Sequence, residues 1–185
     1  MKVRNNISYF FYVIIMIGDN MKKALLYPLI TLIIIVILIL TINITGYELY
    51  KVKGHSMYPT LIENNYLLLG KYKEIKRGDL VLINHKDELL IKRVIGLPGE
   101  KFAIDENGQV FINDIPLEEK YIHKHIGEYQ NEQDYPFIVP DNEYFVLGDN
   151  RDDSKDSRRI DFGLVKKDKI EKKVIRSIIP FKEIK

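Results

Sequence analysis

The sequence predicts a mainly β protein on one membrane anchor: an N-terminal transmembrane helix followed by an extracytoplasmic antiparallel β-sheet domain. Three observations carry that expectation. Residues 24–42 read "ALLYPLITLIIIVILILTI", and no charge falls between Lys23 and Glu48. Beyond residue 47 the apolar residues come in short runs broken by Gly, Asn and Asp, the pattern of strands and turns. No stretch there keeps a long helical period. The expected organisation is an extension over residues 1–20, an anchor over 21–43 and a β domain over 44–185.

The extension contains "ISYFFYVIIMIG" at residues 7–18, apolar but short for a span, before Asp19 and Asn20. Two readings remain open. Translation starts at Met21, where a methionine, two lysines and the apolar run follow one another, or residues 7–18 lie in the membrane interface. For the anchor, a helix at about 1.5 Å per residue crosses the hydrocarbon core with this run. The run is too long for a cleavable signal peptide, and "NITGYELY" follows it in place of small residues spaced for cleavage. Lys22 and Lys23 flank its start, and basic flanks favour the cytoplasmic side, so residues from about 44 onward are expected outside.

In the β domain, "NYLLLGKY", "GDLVLINH", "ELLIKRVIG", "NEYFVLGD" and "KKVIRSIIPF" read as strands. "KFAIDENGQVFIND" predicts a hairpin turning on Asn107-Gly108 in a type I′ geometry. "GLPGE" predicts a turn in which Pro98 fixes φ and Gly99 takes a positive one. Residues 117–142, polar and weakly patterned, read as a long loop or peripheral flap. No internal repeat is visible.

The bulk properties exclude several functions. The 185 residues suffice for one ordinary domain plus a small appendage. A net charge of +2, with basic and acidic residues interspersed, offers no concentrated basic face for nucleic acid. With no cysteine, there is no disulfide framework, thiolate nucleophile or cysteine-ligated zinc.

Three stretches could carry chemistry. "GHSMYPT" at residues 54–60 offers Ser56, a poor nucleophile unless a base takes its proton. Its neighbour His55 is badly placed for that, since adjacent residues on an extended chain point to opposite faces. His85, His123 and His125 sit at a strand end or in polar sequence. The last two could share a strand face, but no third ligand stands at a metal spacing; solvated histidines are the plain reading. Lys92 lies among Leu89, Leu90, Ile91, Val94 and Ile95. It is either an edge-strand lysine pointing at water or an amine whose burial depresses its pKa enough to serve as a base. "LGDNRDDSKDSRRIDFG" at residues 147–163 is either a solvated loop or a charged network beside a site. It does not fit the calcium-loop spacing.

"GHSMYPTL", "RGDLVLI", "IKRVIGLPGE" and "GDNRDDSKDSR" stand in this order behind one anchor. Together they resemble the signature boxes of the bacterial type I signal peptidases, membrane-bound serine proteases that remove signal peptides. The resemblance covers about residues 21–182. The single anchor and short domain are similar to the Gram-positive form. It implies Ser56 as nucleophile and Lys92 as general base. Ser154 matches the hydroxyl that hydrogen-bonds and orients the amine, and Asp156 the supporting acidic residue. Arg93, Asp149 and Arg158 match charged positions that pair around the site. Gly148 and Gly99 match backbone turns, and His55 matches no functional position.

Gly54 stands where Gram-negative relatives place an oxyanion-binding hydroxyl, so the hole rests mainly on the Ser56 backbone N–H. Glu100 replaces a commoner aspartate, and Leu90 a frequent tyrosine beside the substrate cleft. The resemblance implies shallow apolar pockets taking small residues; Val52, Met57, Leu61 and Ile91 are the candidate walls, with Gly54 and Leu90 also at the substrate. The implied partners are signal peptides of exported preproteins, the bilayer and a nearby translocon. No metal, cofactor or nucleic acid is implied. Two competing readings are an inactive membrane-tethered domain that grips exported peptides, and a self-cleaving Ser-Lys regulator. The regulator class is cytosolic and carries a DNA-binding region, whereas this chain carries an apolar run.

Overall fold

The computed structural model of the chain describes residues 23–24, 26–41, 46–122 and 133–179. The chain forms two compact units, Met1–Gly46 and Tyr47–Lys185. In the first, residues 26–41 form a helix whose large apolar side chains from Leu26 to Leu40 are all exposed. Its threonine hydroxyls are satisfied within the helix: Thr31 Oγ1 donates to the Tyr27 carbonyl and Thr41 Oγ1 to that of Ile37, each at 2.9 Å. Among the described residues no helix is long and apolar enough to cross a membrane. Residues 21, 22, 25, 42 and 43 of the expected anchor, and the whole 1–20 extension, lie outside the described residues.

Among the described residues the second unit holds eleven strands: β1 (Glu48–Lys51), β2 (Tyr66–Gly70), β3 (Leu80–His85), β4 (Glu88–Gly96), β5 (Lys101–Ile104), β6 (Val110–Ile112), β7 (Ile115–Pro116), β8 (Phe137–Ile138), β9 (Glu143–Leu147), β10 (Val165–Lys166) and β11 (Ile170–Ile179). Seven form one sheet in the order β1-β2-β11-β3-β4-β9-β10, and four form a smaller one, β7-β6-β5-β8. The pairings are antiparallel, as the alternation of short runs and turns requires.

Strand β3 explains why its sequence is apolar without alternation. Leu80, Val81, Leu82 and Ile83 are all buried, because the large sheet is covered on both faces. Leu80 and Leu82 join Val52, Met57, Leu61, Leu67, Leu69, Ile91 and Val174 on one side. Val81 and Ile83 join Val94, Tyr144, Val146 and Phe162 on the other. A third cluster, with Ile95, Phe102, Val110 and Phe145, joins the end of β4 to the small sheet. The stacked Phe102 and Phe145 rings lie there, their centroids 4.0 Å apart.

The β5–β6 hairpin forms where expected but turns differently. Of Asn107 and Gly108 only Gly108 has a positive φ, whereas a type I′ turn needs both. The Asp105 carboxylate accepts the N–H groups of Asn107 and Gln109, and its carbonyl accepts that of Gly108. The side chain stretches the connection into a longer loop. The turn at residues 97–100 closes as expected, Glu100 N–H donating to the Leu97 carbonyl with Gly99 at φ 81°. Part of the expected flap is strand, since Phe137–Ile138 pairs with Lys101–Phe102. Residues 123–132, with His123 and His125, lie outside the described residues.

Candidate active site

Ser56 sits in the turn that leaves β1. Tyr58 N–H donates to the His55 carbonyl and Leu61 N–H to that of Met57, coiling the chain tightly over residues 55–61. This turn sends His55 outward, its side chain 62% exposed and 3.8 Å from Glu63. Lys92 comes from the middle of β4. Its Nζ lies 2.7 Å from Ser56 Oγ, although 36 residues separate the two.

The lysine is 2% exposed, so the water-facing reading does not hold. Burial disfavours its charged form and, with a lesser push from Arg158, outweighs the upward pull of Asp156, Asp149 and Asp153, so that the amine is lowered to about 8. Such an amine is neutral in a substantial fraction of molecules near pH 8 and can accept a hydroxyl proton along a hydrogen bond that already exists.

The two buried carboxylates beside it, Asp149 and Asp156, are each committed to a guanidinium. Arg93 Nε and Nη2 donate to Asp149 Oδ1 and Oδ2 at 2.8 and 2.7 Å, with both side chains 1% exposed. Arg93 Nη1 donates to the Gly78 carbonyl, and the Tyr121 ring lies 3.9 Å from its guanidinium. Arg158 grips Asp156 with Nε and Nη2 at 2.7 and 2.9 Å, while the Gly148 N–H donates to Asp156 Oδ2. The loop carrying these residues is tied to the serine turn itself: Asn150 N–H donates to the Ser56 carbonyl at 3.0 Å and its side-chain amide to that of His55. Gly148 must lack a side chain, because a Cβ there would stand 2.2 Å from Ser154 Oγ and 2.5 Å from the Ser56 carbonyl.

Two expectations need correction. Ser154 lies beside the site, but its hydroxyl does not bond to the Lys92 amine. The Oγ is buried against Gly148 without a hydrogen-bond partner, and the amine is directed at Ser56. Leu61 is not a pocket wall. It is 0% exposed, tucked into the core by the turn that bonds it to Met57. The groove beside Ser56 is lined by Tyr50, Val52, Lys53 and Gly54 from the β1 side and by Leu89, Leu90 and Ile91 from β4, together with Met57. Of the candidate walls, Val52, Gly54, Met57, Leu90 and Ile91 line this groove, and Tyr50, Lys53 and Leu89 line it without having been candidates. A wider depression at Asp141, Glu143 and Lys166 holds none of these residues.

Sequence reasoning also missed residues that hold the charged loop. Glu119 accepts from Arg151 Nη2, and this pair is 4% and 2% exposed. Glu119 also accepts the Tyr121 hydroxyl at 2.8 Å. Arg151 Nε in turn donates to the Gly148 carbonyl. Thr60 Oγ1 donates to Asp149. Among the described residues no group of three or more His, Asp or Glu side chains could hold a metal ion.

The profile of the family described as signal peptidase, peptidase S26, matches residues 25–178. The signal peptidase I S of Bacillus subtilis is 39% identical over 148 residues, covering 74% of this chain and 80% of that one. The signal peptidase I of Bacillus licheniformis is 34% identical over 180 residues, 91% of this chain and 96% of its own. A crystal structure of a signal peptidase I from Enterococcus faecalis superposes with a TM-score of 0.46 at 32% identity, covering 55% of this chain and 97% of that one. The chain belongs to the signal peptidase S26 family and is a serine endopeptidase of the signal peptidase I type.

Proposed function

We propose that this member of the signal peptidase family removes N-terminal signal peptides from exported preproteins, using Ser56 as nucleophile and Lys92 as general base. The observation that carries the reading is the 2.7 Å approach of a buried amine to a hydroxyl. Neutral Lys92 takes the Ser56 proton as Oγ attacks the scissile carbonyl, forming the C–O bond. The oxyanion is stabilised by the Ser56 backbone N–H. The ammonium of Lys92 returns the proton to the leaving amine as the C–N bond breaks. Water, deprotonated by the same amine, then releases the acyl group and regenerates Ser56.

The supporting groups act through Lys92. Arg93–Asp149 and Arg158–Asp156 fix β4 and the charged loop against the serine turn. The groove between the β1 side and β4 takes the peptide as an added strand, main chain against the β4 edge.

The segment over residues 21–43, uncharged from Ala24 onward, serves as a single membrane anchor, with the cytoplasm at its N-terminal side and the β domain outside. The apolar side chains exposed around the described part of the helix suit lipid, as does internal satisfaction of its threonine hydroxyls. A tethered protease meets a preprotein whose own apolar segment is in the same bilayer, near the translocon, at high effective concentration.

The test incubates detergent-solubilised full-length protein with a precursor bearing a signal peptide and sequences the product's N-terminus. Cleavage at one bond after a small residue, lost in Ser56→Ala and in Lys92→Met, is the expected result. Cleavage that survives Lys92→Met removes the dyad. Binding of precursor by wild type without any cleavage leaves the peptide-gripping role instead.

A further inference from the structure

The β4 edge beside the groove is open only in part. The β3–β4 hairpin turns on Lys86 and Asp87, both at positive φ (51° and 65°), and pairs His85 with Glu88. A two-residue loop of this kind closes on a hydrogen-bonded pair, after which bonded and non-bonded pairs alternate. Asn84–Leu89 and Leu82–Ile91 are thus non-bonded pairs, and the N–H and C=O groups of Leu89 and Ile91 point away from β3. Strand β9 takes up that edge only from Arg93 onward. An added peptide would meet two acceptor carbonyls there, at Ile91 and Leu89, spaced two residues apart.

The second carbonyl is already engaged. From the opposite wall of the groove, the Tyr50 hydroxyl donates to the Leu89 carbonyl at 3.2 Å. Tyr50 is held in place by its pairing with Leu67 and by packing on the core cluster of Val52, Met57 and Ile91. A carbonyl has two lone pairs, but the phenol stands in the groove itself, where a strand would have to pass to reach the other.

We propose that Tyr50 is a specificity-determining residue that caps the β4 edge at Leu89 and confines main-chain recognition of the substrate to Ile91. This rests on the reading of Ser56 and Lys92 as the dyad and of the groove as the peptide's path. Past the residue facing Ile91 the peptide leaves the edge, so its sequence there is not read through the backbone. The cap works whichever way the peptide runs, because the two carbonyls stay two residues apart on the substrate in either direction.

An ester scan tests it. Peptides spanning a cleavage site, each with one backbone amide N–H replaced by an ester oxygen, are cleaved by full-length wild type and by Tyr50→Phe, which keeps the ring and removes the donor. In wild type kcat/KM falls about fivefold, the loss of one neutral hydrogen bond, at a single position along the groove. In Tyr50→Phe the same position is sensitive, and a second appears two residues away. Two sensitive positions already in wild type, or an unchanged single one in Tyr50→Phe, overturn the cap. If the all-amide peptide is cleaved equally by Ser56→Ala, the dyad reading fails instead.

Discussion

Lys92 and Arg93 are adjacent on one strand, 2% and 1% exposed, and their surroundings are opposite. Arg93 faces a carboxylate that matches its fork, a backbone carbonyl and an aromatic ring. Lys92 faces a hydroxyl. The two buried aspartates within electrostatic reach of the lysine are not its partners, because Asp149 is taken by Arg93 and Asp156 by Arg158, and the third, Asp153, is exposed. Burial with a dedicated counterion gives a strut that stays charged. Burial among groups that have cancelled one another gives an amine that can lose its proton. One strand, by alternating its faces, supplies both.

The comparison breaks most visibly at its active half. On the proposed mechanism Lys92→Met lowers precursor cleavage by about 10³-fold or more, the combined loss of base and acid, while membrane insertion and the far-ultraviolet spectrum stay those of wild type. Arg93→Met has the opposite profile. Removing one partner of a buried pair leaves Asp149 uncompensated and costs about 3–5 kcal/mol of stability. That is read as a lower urea midpoint, with residual activity tracking the folded fraction. Equal stability losses in the two variants would mean that the strand does not separate the roles.

Glu119 sharpens the comparison from outside the motifs. Its carboxylate reaches Arg151, which holds the Gly148 carbonyl, so this pair resembles Arg93–Asp149 and not Lys92. Glu119→Gln is expected to cost about 2 kcal/mol, in the range for a hydrogen bond to a charged group. Arg151→Gln added to it costs little more, which a double-mutant cycle in urea measures. Additive losses would show that the two do not act as a unit.

How much of this was legible in the sequence depended on where each residue's partner lies. The strands were readable because β2, β3, β4, β9 and β11 each announce themselves by a local run. Lys92 could be singled out because its neighbours are aliphatic, yet an edge lysine would have had the same neighbours. Only the packing of the serine turn and the charged loop decides its burial. Asp149 and Arg158 came from resemblance, as composition alone fits a solvated loop equally well. In "LEEKYI" nothing local distinguishes Glu118 from Glu119; the buried one is chosen by Arg151, 32 residues on. Leu61 was misplaced because nearness to Ser56 in sequence suggested the groove, whereas the turn at residues 57–61 folds it inward. The hairpin turn was misread because Asp105 competes through its side chain for the N–H groups that a two-residue turn would have used.

The pH dependence is the effect most specific to Lys92. With the amine at about 8, kcat/KM should rise about tenfold per pH unit below that value and level off above it, so that at pH 7 about a tenth of the plateau remains. Stability should follow the same group. The unfolded chain keeps the lysine proton up to its ordinary 10.5, while the folded protein releases it near 8. Below 8 both states are protonated and the full burial penalty is present, about 3 kcal/mol for a depression of this size. Between 8 and 10.5 the unfolded state binds more protons, and wild type gains stability as pH rises. Lys92→Met carries no such group, so it should be the more stable protein at pH 7, with the gap closing by pH 10. Urea midpoints at the two pH values measure this. A gap that widens with pH would show an amine held charged by Asp149 or Asp156, and Lys92 would then belong with Arg93 as a strut.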